Sequence, residues 1–119
     1  MRLLVCGGRN YGNAKGERGL LEAAITALDP TLVIHGCAPG ADYIAEMWAA
    51  NAEIPVLQFP ARWRHYGPGA GPIRNSQMLD EGKPDAVLAA PGGDGTADMI
   101  RKALVAGIPI HYVGVPHAI

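Results

Sequence analysis

Residues 84–96 read Pro-Asp-Ala-Val-Leu-Ala-Ala-Pro-Gly-Gly-Asp-Gly-Thr. Within them Ala86–Ala90 form an apolar run without alternation, which breaks at Pro91 into a turn holding three glycines. A strand buried on both faces of a parallel sheet has this continuous apolar pattern. Beyond the turn, Thr96, Ile100, Ala103, Leu104 and Gly107 recur at helical spacing, and Gly107-Ile-Pro109 closes the helix before another apolar run. One stretch thus predicts a strand, a glycine turn, a helix and the next strand.

The same unit repeats in both directions. Leu3–Cys6, Leu32–His35, Pro55–Phe59 and Ile108–Val113 are further apolar runs. Between them, Leu20, Leu21, Ala24, Ile25 and Leu28 make one helical stripe, and Ala41, Ile44, Ala45, Trp48 and Ala52 another. The alternation predicts an α/β, Rossmann-like doubly wound sheet of five parallel strands, order 3-2-1-4-5, with helices on both faces. Residues 1–119 are read as a single domain, its topological switch point between the first and fourth strands. Ligands of such sheets sit beyond the strands' carboxyl ends. Residues 60–72 (Pro-Ala-Arg-Trp-Arg-His-Tyr-Gly-Pro-Gly-Ala-Gly-Pro) are long for a connection and read as a loop or lid over that edge.

A chain that is 49% hydrophobic and 18% charged can bury a core and is not disordered. Its net charge of −1 excludes an overall field drawing it to nucleic acid or an anionic membrane. A local basic patch of Arg9, Arg62, Arg64 and Arg74 at one sheet edge stays compatible with it. Cys6 and Cys37 have neither metal-ligand spacing nor a disulfide framework, and read as buried, reduced thiols. No metal and no cofactor are expected. No apolar run reaches membrane length, and a strand starting at Arg2 leaves no room for a signal peptide, so a cytoplasmic protein is expected.

Three strand ends open into glycine turns: Gly7-Gly8-Arg9, Gly36-Cys-Ala-Pro-Gly40-Ala-Asp42 and Gly92-Gly93-Asp-Gly95-Thr96. Glycine lets a backbone approach a ligand, and a helix N-terminus offers free N–H donors and partial positive charge. Each turn alone could serve only to reverse the chain; three at one sheet edge point to a bound phosphate. The pattern is neither a Walker A loop nor a first-turn GxGxxG. Asp42 stabilises a helix start or accepts from a ribose hydroxyl. Arg74 is read as opening a helix toward the site, and forks onto phosphate. Asn75 bonds a sugar or base, or caps that helix. Trp63 and Tyr66 stack on a base or pin the loop. Asp94 is expected to point outward, or else to help hold a metal. His65 is the spare acid–base group of the loop, whereas His35 and His111 read as structural.

The stretch Ile73-Arg-Asn-Ser-Gln-Met-Leu79 with residues 84–96 resembles the signature half of the SLOG superfamily, which joins DprA/Smf DNA-processing proteins and LOG-type phosphoribohydrolases. Gly7-Gly-Arg9, the 36–42 turn and Trp63…Ala70-Gly-Pro-Ile-Arg-Asn75 look most like its small YspA-like branch. LOG enzymes hydrolyse the N-glycosidic bond of nucleoside monophosphates. The resemblance implies that Gly92, Gly93, Gly95 and Thr96 hold phosphate and that Arg74 is the active-site arginine. The LOG motif ends in a glutamate eight residues after its proline, where this chain has Met99. Asp98, about 100° around the helix, is the nearest carboxyl, and His65 the other catalytic candidate. The leading expectation is a sensor or sequestering module for a nucleotide or ADP-ribose-like ligand. The alternatives are a LOG-like N-glycosidase and a DprA-like single-stranded DNA binder through Arg62, Arg64 and Arg74. A homodimer is expected, formed near Trp48.

Overall fold

The computed structural model describes residues 1–114. In chain order the elements are β1 (Arg2–Cys6), α1 (Glu17–Leu28), β2 (Leu32–His35), α2 (Ala41–Ala52), β3 (Val56–Gln58), α3 (Trp63–Tyr66), a 3-10 turn (Gly67–Gly69), α4 (Ala70–Asp80), β4 (Ala86–Ala89), α5 (Asp94–Val105) and β5 (Ile110–Tyr112). All neighbouring strands are parallel, in the order β3-β2-β1-β4-β5. Leu3 of the central strand stands beside Val33 on one side and Ala86 on the other. The predicted sheet, order and helical layers are those observed.

Side-chain alternation along β1 divides the core. Leu3 and Val5 join Leu21 and Ile25 of α1 and Ala41, Ile44, Ala45 and Ala49 of α2. Leu4 and Cys6 point the other way, onto Met78 of α4 and Met99 and Ala103 of α5. Both faces of β1 are therefore dry, which explains its unbroken apolar run. Small residues at Ala41, Ala45 and Ala49, all fully buried, bring α2 close to the strands. Trp48 packs partly buried against the same cluster, and its indole N–H donates to Thr26 Oγ1 at 3.0 Å.

The 60–72 segment departs from expectation. Five of the six residues 67–72 are Gly or Pro, which reads as a loop. Yet only residues 60–62 lie outside helical structure, and α4 begins at Ala70. Pro72 falls in the first turn of α4, where its missing N–H has no intrahelical partner to lose. Gly67, at φ +62, separates α3 from the 3-10 turn. Arg74 consequently lies in the second turn of α4 rather than opening the helix, so it meets the sheet edge from the side. Among the described residues no helix is long and apolar enough to cross a membrane.

Met99, where the LOG resemblance places a glutamate, has no exposed surface and sits in the α4–α5 side of the core. Met99→Glu therefore buries a carboxyl among apolar side chains, and we expect a loss of about 3 kcal/mol or more. Burial raises such a carboxyl's pKa, so the folded state holds its proton longer and the loss deepens from pH 5 to pH 8. Urea unfolding at the two pH values checks this. A loss under about 1 kcal/mol would contradict the placement of Met99.

Candidate functional site

The turn after β1 lies between the other two glycine turns. Gly8 donates its N–H to the Pro91 carbonyl at 2.9 Å, and its own carbonyl accepts from Tyr11 at 3.2 Å and Ala41 at 3.3 Å. A Cβ on Gly7 would stand 2.7 Å from that of Ala41 and 2.8 Å from that of Ala90. At Gly40, φ is +79, and a Cβ would collide with the Gly8 carbonyl. On Gly92 it would collide with the Thr96 hydroxyl and stand 2.7 Å from the Gly8 nitrogen. These glycines are required by close packing, against backbone at Gly40, against the Ala41 and Ala90 methyl groups at Gly7, and against both the Thr96 side chain and backbone at Gly92.

Gly93 and Gly95 are different. Neither has positive φ, and nothing lies within 4 Å of a Cβ built on either. Internal packing does not account for their missing side chains. They open α5, whose N-cap makes no side-chain hydrogen bond. The N–H groups of Asp94, Gly95 and Thr96 have no acceptor among the described residues, nor does the Thr96 hydroxyl have a partner. Free amides at a helix start, with its partial positive charge, form an anion-binding arrangement.

These donors face a cavity of about 430 Å³ at the carboxyl ends of β1 and β4. Of the residues expected from sequence, Gly7, Gly8, Arg9, Asp42, Trp63, Arg74, Asn75, Gly93, Gly95, Thr96 and Asp98 line it. Gly36, Gly40 and Gly92 do not; they lie behind it and shape the turns. His65 is outside, exposed, its ring edge-on to Tyr66 at 4.4 Å. Asp94, expected to point away, is exposed but contributes to the cavity wall. Among the described residues no group of three His, Cys, Asp or Glu side chains gathers as a metal site. Pro68, Gly71 and Pro72 also line the cavity and were not foreseen, because they were read as loop breakers.

Arg74 reaches across from α4, donating from Nη1 to the Gly36 carbonyl and from Nε to Asn75 Oδ1 at 3.1 Å. Its guanidinium occupies the space a Cβ on Gly36 would take. Asn75 is buried, and its amide donates to the Gly95 carbonyl at 3.1 Å and to Asp98 Oδ2 at 3.0 Å. It neither caps α4 nor keeps donors free for a ligand; it ties α4 to the first turn of α5. Asp98 also pairs with Arg101 and, at 3.0 Å, with Lys102. Burial alone would raise its carboxyl, but the Asn75 and Lys102 hydrogen bonds and the two cations outweigh that and hold it below its usual value. Arg62 and Arg64 stay exposed while Arg74 turns inward, so the three do not form one basic surface.

Asp42 organises the turn after β2. Its Oδ2 accepts from the Gly36 and Ala38 amides, both at 3.1 Å. Burial pushes this carboxyl upward, while those amides and the Arg74 charge pull against the shift. His35 Nδ1 accepts from the Cys37 amide at 3.0 Å, so the proton sits on Nε2, which donates to Glu46 at 2.7 Å. Gln58 donates to the same Glu46 oxygen at 2.8 Å, and these bonds lower the Glu46 carboxyl. His35 is thus a satisfied structural histidine. Cys6 is buried, its thiol pushed up to about 12 by burial and by Asp42. Cys37, expected to be buried, is exposed in the turn after β2, where it stands at φ +61.

Strand order, helices on both faces of a parallel sheet and a cavity at the switch point make this a Rossmann-like α/β domain. Residues 1–66 match the model YAcAr, described as the YspA, cpYpsA-related SLOG family, and the chain belongs to that family. It is similar to the gene 61 protein of Mycobacterium phage D29, with 40% identity over 91 residues, or 70% of this chain and 71% of that protein. The matched 1–66 segment carries the first two glycine turns and Trp63; the third turn lies beyond it.

Two substitutions separate the two kinds of glycine. Gly40→Ala is expected to cost about 2 kcal/mol or more, through positive φ and collision with Gly8; Gly95→Ala, with open space inside the first turn of α5, is expected not to lower stability. Chemical denaturation of both variants decides, and equal losses would contradict the distinction. Asp98 gives a pH signature. Its depressed value means a stabilisation complete above the ordinary carboxyl range and lost as pH falls through the lowered value. Asp98→Asn should lower stability at pH 7 and flatten its decline below about pH 4, as measured by melting across pH.

Proposed function

We propose that the chain is a nucleotide-binding module that senses or sequesters a nucleoside phosphate or an ADP-ribose-like ligand. One observation carries the reading: the unpartnered amides of Asp94, Gly95 and Thr96 open the cavity's α5 side beside two glycines that internal packing does not need. A phosphate at this point accepts those amides and the Thr96 hydroxyl, and the side chains of Arg9 and Arg74 add positive charge. The cavity's size lies within the range for small-molecule sites, roughly 300–1,000 Å³. Trp63, Pro68 and Pro72 supply an apolar wall suited to a planar base.

Binding is favoured over glycosidic hydrolysis by the state of Asp98. Its depressed carboxyl holds no proton at neutral pH for a leaving base, and Arg101 and Lys102 already neutralise its charge. An oxocarbenium-like sugar thus gains little from it. His65 lies outside the cavity.

Saturating AMP or ADP-ribose is expected to raise the melting temperature by several degrees. In Gly93→Asp, which folds because the space around Gly93 is open, that gain disappears, since an anion then occupies the phosphate's place. An undiminished gain would remove the phosphate from the α5 turn. Incubation with AMP should release no free base beyond the buffer control. Enzyme-like release abolished in Asp98→Asn would establish a hydrolase instead.

A further inference from the structure

Asp42 carries more acceptor capacity than its turn uses. Only 6% of its surface is exposed, and a carboxyl so buried is costly unless its oxygens are bonded. Oδ2 meets the Gly36 and Ala38 amides. Oδ1 takes no hydrogen bond among the described residues. Every described side-chain nitrogen or oxygen that is fully closed off from solvent has a partner, so Oδ1 keeps contact with solvent, and Asp42 lines the cavity. Serine or asparagine would also offer one oxygen to two amides at a helix start. The second oxygen is surplus to the fold.

We propose that Asp42 is the sugar-selecting residue of this cavity, its Oδ1 accepting a hydrogen bond from a ribose hydroxyl of the ligand. The inference rests on the nucleotide-binding reading above and adds which part of the ligand is recognised. While Asp42 is ionised, the group meeting Oδ1 must donate a hydrogen, which an ionised phosphate cannot do. Gly8 bonds both the α2 start, through the Ala41 N–H, and the turn leading into α5, through the Pro91 carbonyl. The two helix starts therefore stand on either side of one residue, and a sugar is the group that directly follows a phosphate held at one of them. Arg74 makes no hydrogen bond to Oδ1, its guanidinium being bonded to Gly36 and Asn75, while its charge helps to keep the carboxyl ionised. A site built to bond a hydroxyl rejects the analogue lacking it, since the buried acceptor is then left unpaired. The cavity accordingly prefers ribose-bearing phosphates over deoxyribose-bearing ones, DNA included.

Calorimetric titration with AMP, 2′-deoxy-AMP, 3′-deoxy-AMP, ribose 5-phosphate and 2-deoxyribose 5-phosphate tests this on wild type and Asp42→Asn. In the variant the two turn amides fix the side-chain oxygen, so an NH₂ replaces the acceptor at the cavity. At least one deoxy analogue should bind wild type about tenfold or more weakly than its parent, and in Asp42→Asn that ratio should fall toward unity. Equal binding of AMP and both deoxy forms to wild type would overturn the role of Asp42 while leaving nucleotide binding intact. An undiminished ratio in a folded Asp42→Asn would overturn it too. If the variant fails to fold, the wild-type series decides alone. Binding of the ribose phosphates with the same preference, without AMP binding, would support Asp42 and dismiss the base. Binding of no phosphate probe would overturn both proposals.

Discussion

The site depends on one residue's peptide groups. Gly8 gives its N–H to the turn before α5 and its carbonyl to the start of α2, so two helices on opposite faces of the sheet are set in position by a single unit of backbone. That arrangement leaves no room for a Cβ at Gly7, Gly40 or Gly92. Three turns pressed together in this way fix the helix starts relative to the central strand, with no side chain larger than Ala or Thr between them. Only afterwards do side chains complete the walls: Arg74 over Gly36, Asn75 onto Gly95, Asp42 onto the amides of its own turn.

Polar groups around the cavity divide by whether the fold already uses them. Asn75 and Asp98 are saturated, binding α4 to α5 and to the cations Arg101 and Lys102. The α5 amides, the Thr96 hydroxyl and Arg9 have no such partners among the described residues. Donors outnumber acceptors among the free groups, which favours an anion. Of the carboxyls lining the cavity, Asp98 is spent and Asp42 half spent, while Asp94 is exposed and without a side-chain partner among the described residues.

Sheet order and both helical layers were legible because strands dry on both faces carry uninterrupted apolar runs, as β4 does throughout and β1 does after Arg2. The glycine turns were equally visible, since glycine marks backbone contact whatever its purpose. Sequence alone did not separate Gly40, needed by packing, from Gly93, which is not, because the difference lies in neighbours far along the chain. The helical structure of residues 63–72, ahead of the helix expected from Arg74, was hidden by its prolines and glycines, whose breaking tendency counts for little in a first helical turn. Which of Asp98 and Met99 faces the cavity is likewise a matter of how α5 is rotated on the sheet; packing against Leu4 and Val87 puts Met99 inside.

The wall carrying Trp63 has a kinetic meaning. Helix α3 buries no residue, Trp63 itself is half exposed, and Gly67 turns at φ +62 with nothing within 4 Å. Displacing α3 outward about that glycine breaks no contact of either core layer. Local opening of α3 is thereby uncoupled from global unfolding, so that the mobility of this wall and the stability of the core are separate properties, open to change one without the other.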